Sequence, residues 1–331
     1  MKKIILVSLF IMLATSLSAQ AAKIKIYGHR GARGLSPENT IPAYKTGLAI
    51  GIDVVDMDVG ITKDGVVVVT HNYALNPDIT RDPNGKWIPK DKKILIKDLT
   101  FAQLKKYDVG RLNPNNEYGD SFPNQHSVDG THISSLAQVI EYTKKTSGDK
   151  IGFQVEAKTD PAHPNWTITP EKFAEAIVNV LKQEKVNDRT ELQAFDWRVL
   201  LAAQKLDPKL ATAYLTDHGI AANMTSPDPE IAGLWSAGYL LKDFDNSIPK
   251  MIAKLGGKIW GPETQQLTKK LVDEAHSYGL KVVTWTADTP KVIERMISYG
   301  VDGIISDRPD LVRGLMADRG LKLPEPISIS G

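Results

Sequence analysis

The chain has 331 residues, 42% of them apolar and 24% charged, with 41 Lys+Arg against 39 Asp+Glu and a formal net charge of +2. It contains no cysteine, which excludes disulfide staples, thiolate metal sites, cysteine nucleophiles and a lipid-modified cysteine anchor. A near-neutral balance also excludes the charge excess expected of a nucleic-acid partner or a polybasic membrane partner.

The first 21 residues read as a secretory leader. Lys2 and Lys3 form a basic start, Ile4 to Leu13 an apolar run broken only by Ser8, and Ala19-Gln20-Ala21 a small-x-small cleavage site. The run is too short to span a bilayer, so the expectation is an exported, periplasmic or secreted protein without a stable membrane anchor. Losing Lys2 and Lys3 with the leader leaves 39 basic against 39 acidic residues, a formally neutral mature chain covering residues 22–331.

From residue 25 onward, short β-branched runs alternate with amphipathic helical stretches. Lys25 to His29 reads as the first strand, and Asn39 as the cap of a helix bearing Ile41, Tyr44 and Leu48, with Pro42 in its first turn. Ile52 to Val59 is the second strand, and Val66 to His71 an extended excursion after the turn Lys63-Asp64-Gly65. Asn72 to Ile133 breaks the rhythm, being rich in Asn, Asp, Pro and Gly, with only Asp98 to Tyr107 looking helical. A stretch this long is usually functional or independently packed, so it is expected as a cap inserted over a barrel mouth. Strand and helix then alternate again to Met316. Counting the excursion as part of the second unit gives eight strands in βα order, which suits a closed (β/α)8 TIM barrel as one domain.

In such a barrel the working residues lie at the C-terminal ends of the strands. The first strand ends in His29-Arg30, the excursion in His71, and the second strand places Asp56 and Asp58 on one face. The next barrel strand places Gln154, Glu156 and Lys158 on one face. Charges in a barrel interior are costly unless paired or bound to a metal. Asp56, Asp58 and Glu156 form an all-oxygen set suited to one divalent cation, Ca²⁺ or Mg²⁺. Arg30 and Lys158 add affinity for an anion, and His29 and His71 supply a general acid and base, a combination suited to phosphodiester cleavage.

These residues fall in motifs that resemble the glycerophosphodiester phosphodiesterase family. They are Gly28-His29-Arg30-Gly31, Pro37-Glu38-Asn39-Thr40, Asp56-Met57-Asp58-Val59, Val155-Glu156-Ala157-Lys158, Ala194-Phe195-Asp196-Trp197, Thr284-Trp285-Thr286 and Ser306-Asp307-Arg308-Pro309. Their order and spacing cover about residues 24–316. The resemblance implies a barrel with an inserted cap and a metal enzyme that releases an alcohol and sn-glycerol 3-phosphate from a small-molecule diester. It implies His29 and His71 as the acid/base pair, Arg30 as the phosphate-binding arginine, Asp56, Asp58 and Glu156 as metal ligands, and Lys158 beside them. Glu38 matches a family glutamate that either supports Arg30 or takes a direct part, and Trp285 an aromatic that either packs on the glycerol or serves the core.

Two positions depart from the family pattern: Asp56 stands where Glu is usual, and Asn72 where Asp follows the second histidine. The first draws a carboxylate back by about 1.5 Å, one C–C bond, and the second removes a charge beside His71. Two other classes share these features. One is a barrel that binds phosphodiesters without cleaving them, against which the histidine pair and carboxylates argue. The other is a lysophospholipid-cleaving relative, against which the long polar insertion argues. Headgroup preference and oligomeric state are not written in these motifs.

Overall fold

The computed structural model describes residues 23–329, so the leader of residues 1–21 lies outside the described residues. Among the described residues nine strands form one sheet: β1 (Lys25–Gly28), β2 (Val54–Ile61), β3 (Val67–Val69), β4 (Gly152–Ala157), β5 (Thr190–Ala194), β6 (Ala211–Thr216), β7 (Ile259–Pro262), β8 (Lys281–Thr284) and β9 (Gly303–Ser306). Eight of them are parallel and close on themselves, because β1 pairs with both β2 and β9. The result is the (β/α)8 barrel, with β3 folded back antiparallel on β2 as the excursion.

α-Helices accompany the strands, among them α1 (Ile41–Ile50), α2 (Phe101–Leu104), α3 (Leu136–Ser147), α4 (Pro170–Glu184), α5 (Trp197–Leu206) and α6 (His218–Met224). The main core lies between barrel and helices, where outward strand residues such as Val55, Met57, Phe153 and Val155 meet Leu48, Ile140, Phe173 and Ile177. Each such side chain, once buried, contributes roughly 1.5–3 kcal/mol. Among the described residues no helix is long and apolar enough to cross a membrane.

The barrel interior is split by chemistry. Tyr27, Ala213, Ile259, Val283 and Ile305 form an apolar inner cluster. The facing arc, from β2, β4 and β5, presents Asp56, Asp58, Gln154, Glu156, Glu191 and Gln193, all buried. In-register pairing sets Asp56 beside Gln154 and Asp58 beside Glu156, so the acidic residues stack in layers. Glu191 is satisfied by the Tyr27 hydroxyl at 2.9 Å, Gln154 Nε2 at 3.2 Å and Lys25 Nζ at 3.3 Å, which stoppers the lower end.

Two local expectations change. Thr40, not Asn39, caps α1, accepting from the Ala43 amide. Asn39 takes a left-handed backbone (φ 57°) and turns its amide inward to Asp58 instead. Within residues 72–133 the helix is only the short α2, because Thr100 with Gln103 forms a capping box there and Asp98 belongs to a preceding 3-10 turn. This segment has its own small core of Leu75, Ile88, Ile96, Leu104, Val109 and Ile133 around Val68 of β3. It rests on the loop after β1, where the His126 amide donates to the Leu35 carbonyl at 3.0 Å and Gln125 Nε2 to the Arg33 carbonyl at 2.7 Å. That loop is at the C-terminal mouth of the barrel.

Candidate active site

The β1–α1 turn is built by steric necessity. The Gly31 amide donates to the Gly28 carbonyl at 2.9 Å, and a Cβ on Gly28 would lie 2.1 Å from the Gly31 carbonyl oxygen. Arg30 accepts a left-handed backbone (φ 49°) in this turn. Its amide donates to Asp56 Oδ2 at 3.3 Å, so the turn is fastened to β2.

A cavity of about 310 Å³ opens at this end of the barrel. Seven of the residues singled out in the sequence line it: His29, Arg30, Asp56, His71, Glu156, Lys158 and Trp285. Phe195, Leu215 and Ile305 supply its apolar wall. Asp58 lies beneath, 2% exposed, and Glu38 stands behind Arg30, 4% exposed.

Each histidine has its Nδ1 engaged. His29 Nδ1 lies 2.6 Å from Asp307 Oδ1, and His71 Nδ1 lies 2.6 Å from Asn72 Oδ1. Asn72 thus gives His71 the acceptor that an Asp would give, without its charge. Both rings are held toward the neutral form, and burial is the main cause. For His29 the Asp307 carboxylate opposes that effect, whereas for His71 the Lys158 and Arg30 cations reinforce it. Asp307 accepts from Arg33 Nε at 2.9 Å and Nη2 at 2.8 Å. Burial alone would push its carboxyl up, but His29 and Arg33 carry it well below the usual range.

Arg33 also donates to the Tyr118 hydroxyl at 3.2 Å. That hydroxyl donates to Glu38, whose other oxygen accepts from Arg30 Nη1 at 2.8 Å. The chain His29–Asp307–Arg33–Tyr118–Glu38–Arg30 therefore ties the strand end to the inserted segment. Of the two readings for Glu38, support of Arg30 is the one its contacts match. Trp285 lines the cavity with its ring edge-on to Phe195 (centroids 5.4 Å apart, 87°) and its Nε1 donating to the Gly261 carbonyl at 2.9 Å.

The acidic layer already holds a cationic side chain. Lys158 Nζ sits 2.5 Å from Glu156 Oε1 and 3.7 Å from Asp58 Oδ1, a positive charge already placed between two carboxylates. Asp58 is further held by Asn39 Nδ2 at 2.9 Å, and Arg30 Nε lies 3.2 Å away without hydrogen-bond alignment. Burial would raise the Asp58 carboxyl, but Arg30, His71 and Lys158 outweigh it and keep it ionised. Glu156 is pushed up to about 7 by burial, against the pull of Lys158. Asp56 is raised by burial and by Asp58 and Glu156, and accepts from Gln193 Nε2 at 2.8 Å. Burial and a neighbouring like charge both favour the neutral carboxyl, which is why Asp56 and Glu156 are raised. Among the described residues no three His, Asp or Glu side chains are gathered into a ligand cluster; Lys158 and Gln193 bond to Glu156 and Asp56 instead.

Arg33, Tyr118, Asp307 and Gln193 were not singled out from sequence as site residues. For Asp307 a signal existed, since it follows β9 directly. Tyr118 sits in a stretch without periodicity and carried none.

Fold and cavity together define a barrel of the phosphodiesterase class. The chain belongs to the glycerophosphoryl diester phosphodiesterase family, whose profile matches residues 29–311. A glycerophosphodiester phosphodiesterase of Caldanaerobacter subterraneus is 28% identical over 300 residues, spanning 90% of this chain and 100% of its own. A solved structure from Silicibacter pomeroyi, assigned to the same class, is 33% identical with a TM-score of 0.80 over 91% of this chain and 96% of that one. An Oleispira antarctica phosphodiesterase, solved with its product sn-glycerol-3-phosphate, is 21% identical and shares the fold, with a TM-score of 0.64 over 88% of this chain and 96% of that one.

Proposed function

We propose that the chain hydrolyses glycerophosphodiesters to an alcohol and sn-glycerol 3-phosphate, with His71 as general base, His29 as general acid and one divalent cation, Ca²⁺ or Mg²⁺. Family membership and the relatives' activity support the hydrolysis. The observation that carries the acid–base roles is the pair of 2.6 Å contacts at Nδ1, one to a carboxylate and one to an amide. Each contact fixes a tautomer and leaves Nε2 for the substrate in the cavity that both rings line.

His71, beside a neutral amide and two cations, is kept unprotonated and takes a proton from the attacking water at Nε2. The water oxygen bonds to phosphorus and the bond to the alcohol oxygen breaks. Asp307 opposes the burial that holds His29 toward its neutral form, and from the imidazolium so favoured Nε2 gives its proton to that oxygen. Arg30 has one guanidinium arm on Glu38 and leaves another for a phosphoryl oxygen. Asp56, Asp58 and Glu156 would hold the cation, competing with Lys158 for two of those carboxylates. Bound there, it would neutralise charge on the phosphoryl group. Leu215, Ile305 and Trp285 suit the three-carbon glycerol arm.

The test is release of glycerol 3-phosphate from glycerophosphocholine with and without EDTA. Release that EDTA stops and Ca²⁺ or Mg²⁺ restores supports the whole reading. Release insensitive to EDTA removes the metal, and no release removes the activity. Export is inferred from residues 1–21 alone and is tested by sequencing the mature N-terminus, expected at Ala22.

A further inference from the structure

A second cleft, of about 380 Å³, adjoins the cavity and shares Glu156, Lys158 and Phe195 with it. Tyr73, Phe195 and Trp235 form its aromatic walls, and Asp217 faces it. We infer that this cleft receives the leaving alcohol, and that its aromatic walls and Asp217 select a cationic, N-methylated alcohol such as choline. The inference rests on the phosphodiesterase reading above.

The placement follows from the partition. Lys158 and Phe195 belong to both spaces, so a phosphoryl group held by Arg30 and Lys158 has one ester arm on either side. The glycerol arm carries no charge, so it meets a carboxylate only through hydroxyl hydrogen bonds and has nothing to offer an aromatic face. A quaternary ammonium gains from both, since a cation within about 6 Å of a ring centroid is attracted by its π-face, more so where water is excluded.

The walls are held in place. The Trp235 carbonyl accepts from the Trp197 amide at 3.0 Å, which anchors its loop to the end of β5. The Tyr73 ring packs on Trp166 with centroids 5.7 Å apart. Asp217 uses Oδ1 to cap α6, accepting from the Ile220 amide at 2.7 Å, and among the described residues Oδ2 accepts no hydrogen bond. The nearby cations are already engaged. Lys158 is bound between Glu156 and Asp58 with its Nζ 5.9 Å from the Phe195 centroid, so Tyr73 and Trp235 are the aromatic faces open to a ligand cation, and Lys93 lies over the outer Trp166 ring at 3.6 Å from its centroid. Asp160, beyond Tyr73, is tied to His163. That leaves Asp217 as the carboxylate open to a ligand cation.

The experiment compares kcat/KM of the metal-loaded enzyme on glycerophosphocholine and on glycerophosphoglycerol, for wild type, Trp235→Leu and Asp217→Asn. It is paired with saturation-transfer NMR of choline alone. Each variant should lose roughly 5- to 30-fold on the choline diester, the range of a desolvated cation–π or charge contact, and less than about threefold on the glycerol diester. The choline N-methyl signal seen with wild type should fall in both variants. Equal losses on the two diesters, or an N-methyl signal the same in all three proteins, would overturn the inference. If neither diester is cleaved, the phosphodiesterase reading fails, while the choline signal still decides whether the cleft binds this cation.

Discussion

Replacing Asp307 by Asn keeps the shape of the contact to His29 and removes its charge. The His29–Asp307 nitrogen–oxygen distance is 2.6 Å, which places the charge centres about 4 Å apart. With an effective dielectric constant of about 20, that pair is worth roughly 4 kcal/mol, and its loss falls on the imidazolium. Arg33, whose guanidinium also rests on Asp307, is left unneutralised and lowers the imidazole further. The sign is definite: the imidazolium is less stable, so the basic limb of the bell-shaped pH–rate profile moves to lower pH. At neutral pH kcat should fall by about 10²–10⁴, the usual contribution of one general acid. Removing one partner of a buried pair also destabilises, by about 3–5 kcal/mol, so assays belong well below the melting temperature. The assay is glycerol 3-phosphate release across pH 5–9 for wild type, Asp307→Asn, His29→Ala and the double variant. If Asp307 acts through His29, the double variant is no slower than His29→Ala alone. A basic limb in its original place, or more than half of wild-type kcat, would refute the role given to both residues.

Asn72→Asp should raise the His71 pKa and move the acidic limb to higher pH, with kcat on the plateau changed less than tenfold; an unmoved limb disposes of His71 as the base. Glu156→Gln should abolish the response of activity to Ca²⁺ or Mg²⁺ while the circular dichroism spectrum is kept; a variant still activated by the metal removes Glu156 from the ligand set. Asp288 is pushed up to about 7 by burial and by Asp307. Its folded-state pKa lies above the unfolded value, so the stability it contributes is full below about pH 4 and is lost as pH rises through 7. Asp288→Asn should therefore gain about 2–4 kcal/mol on wild type between pH 4 and pH 8, after allowance for partial exposure, read from urea unfolding; a pH-independent difference contradicts this.

The barrel was legible because each strand and helix carries its own period, and the strand-end rule then located His29, Arg30, Asp56, His71, Glu156 and Lys158 without coordinates. Asn39 shows where that reading stops. Its sequence position marks it as a helix cap, but Thr40 takes that task, and Asn39 instead bonds Asp58 on β2, a contact set by barrel closure. Tyr118 marks a second limit. It reaches Glu38 from 80 residues away through a segment whose path is dictated by turns and ion pairs such as Arg81 with Asp108 and Asp129. Such contacts have no period to read.

The bond from Tyr118 to Glu38 has a consequence for how this chain can change over time. The inserted segment completes the support of Arg30, so it is not an interchangeable lid. A segment transplanted from a relative would have to bring its own hydroxyl to Glu38 and its own neighbour for Arg33, or the Arg30 guanidinium would lose its backing. Residues 29–40 and 72–133 are therefore expected to be inherited and exchanged as one unit, although α1, β2 and β3 separate them in the sequence.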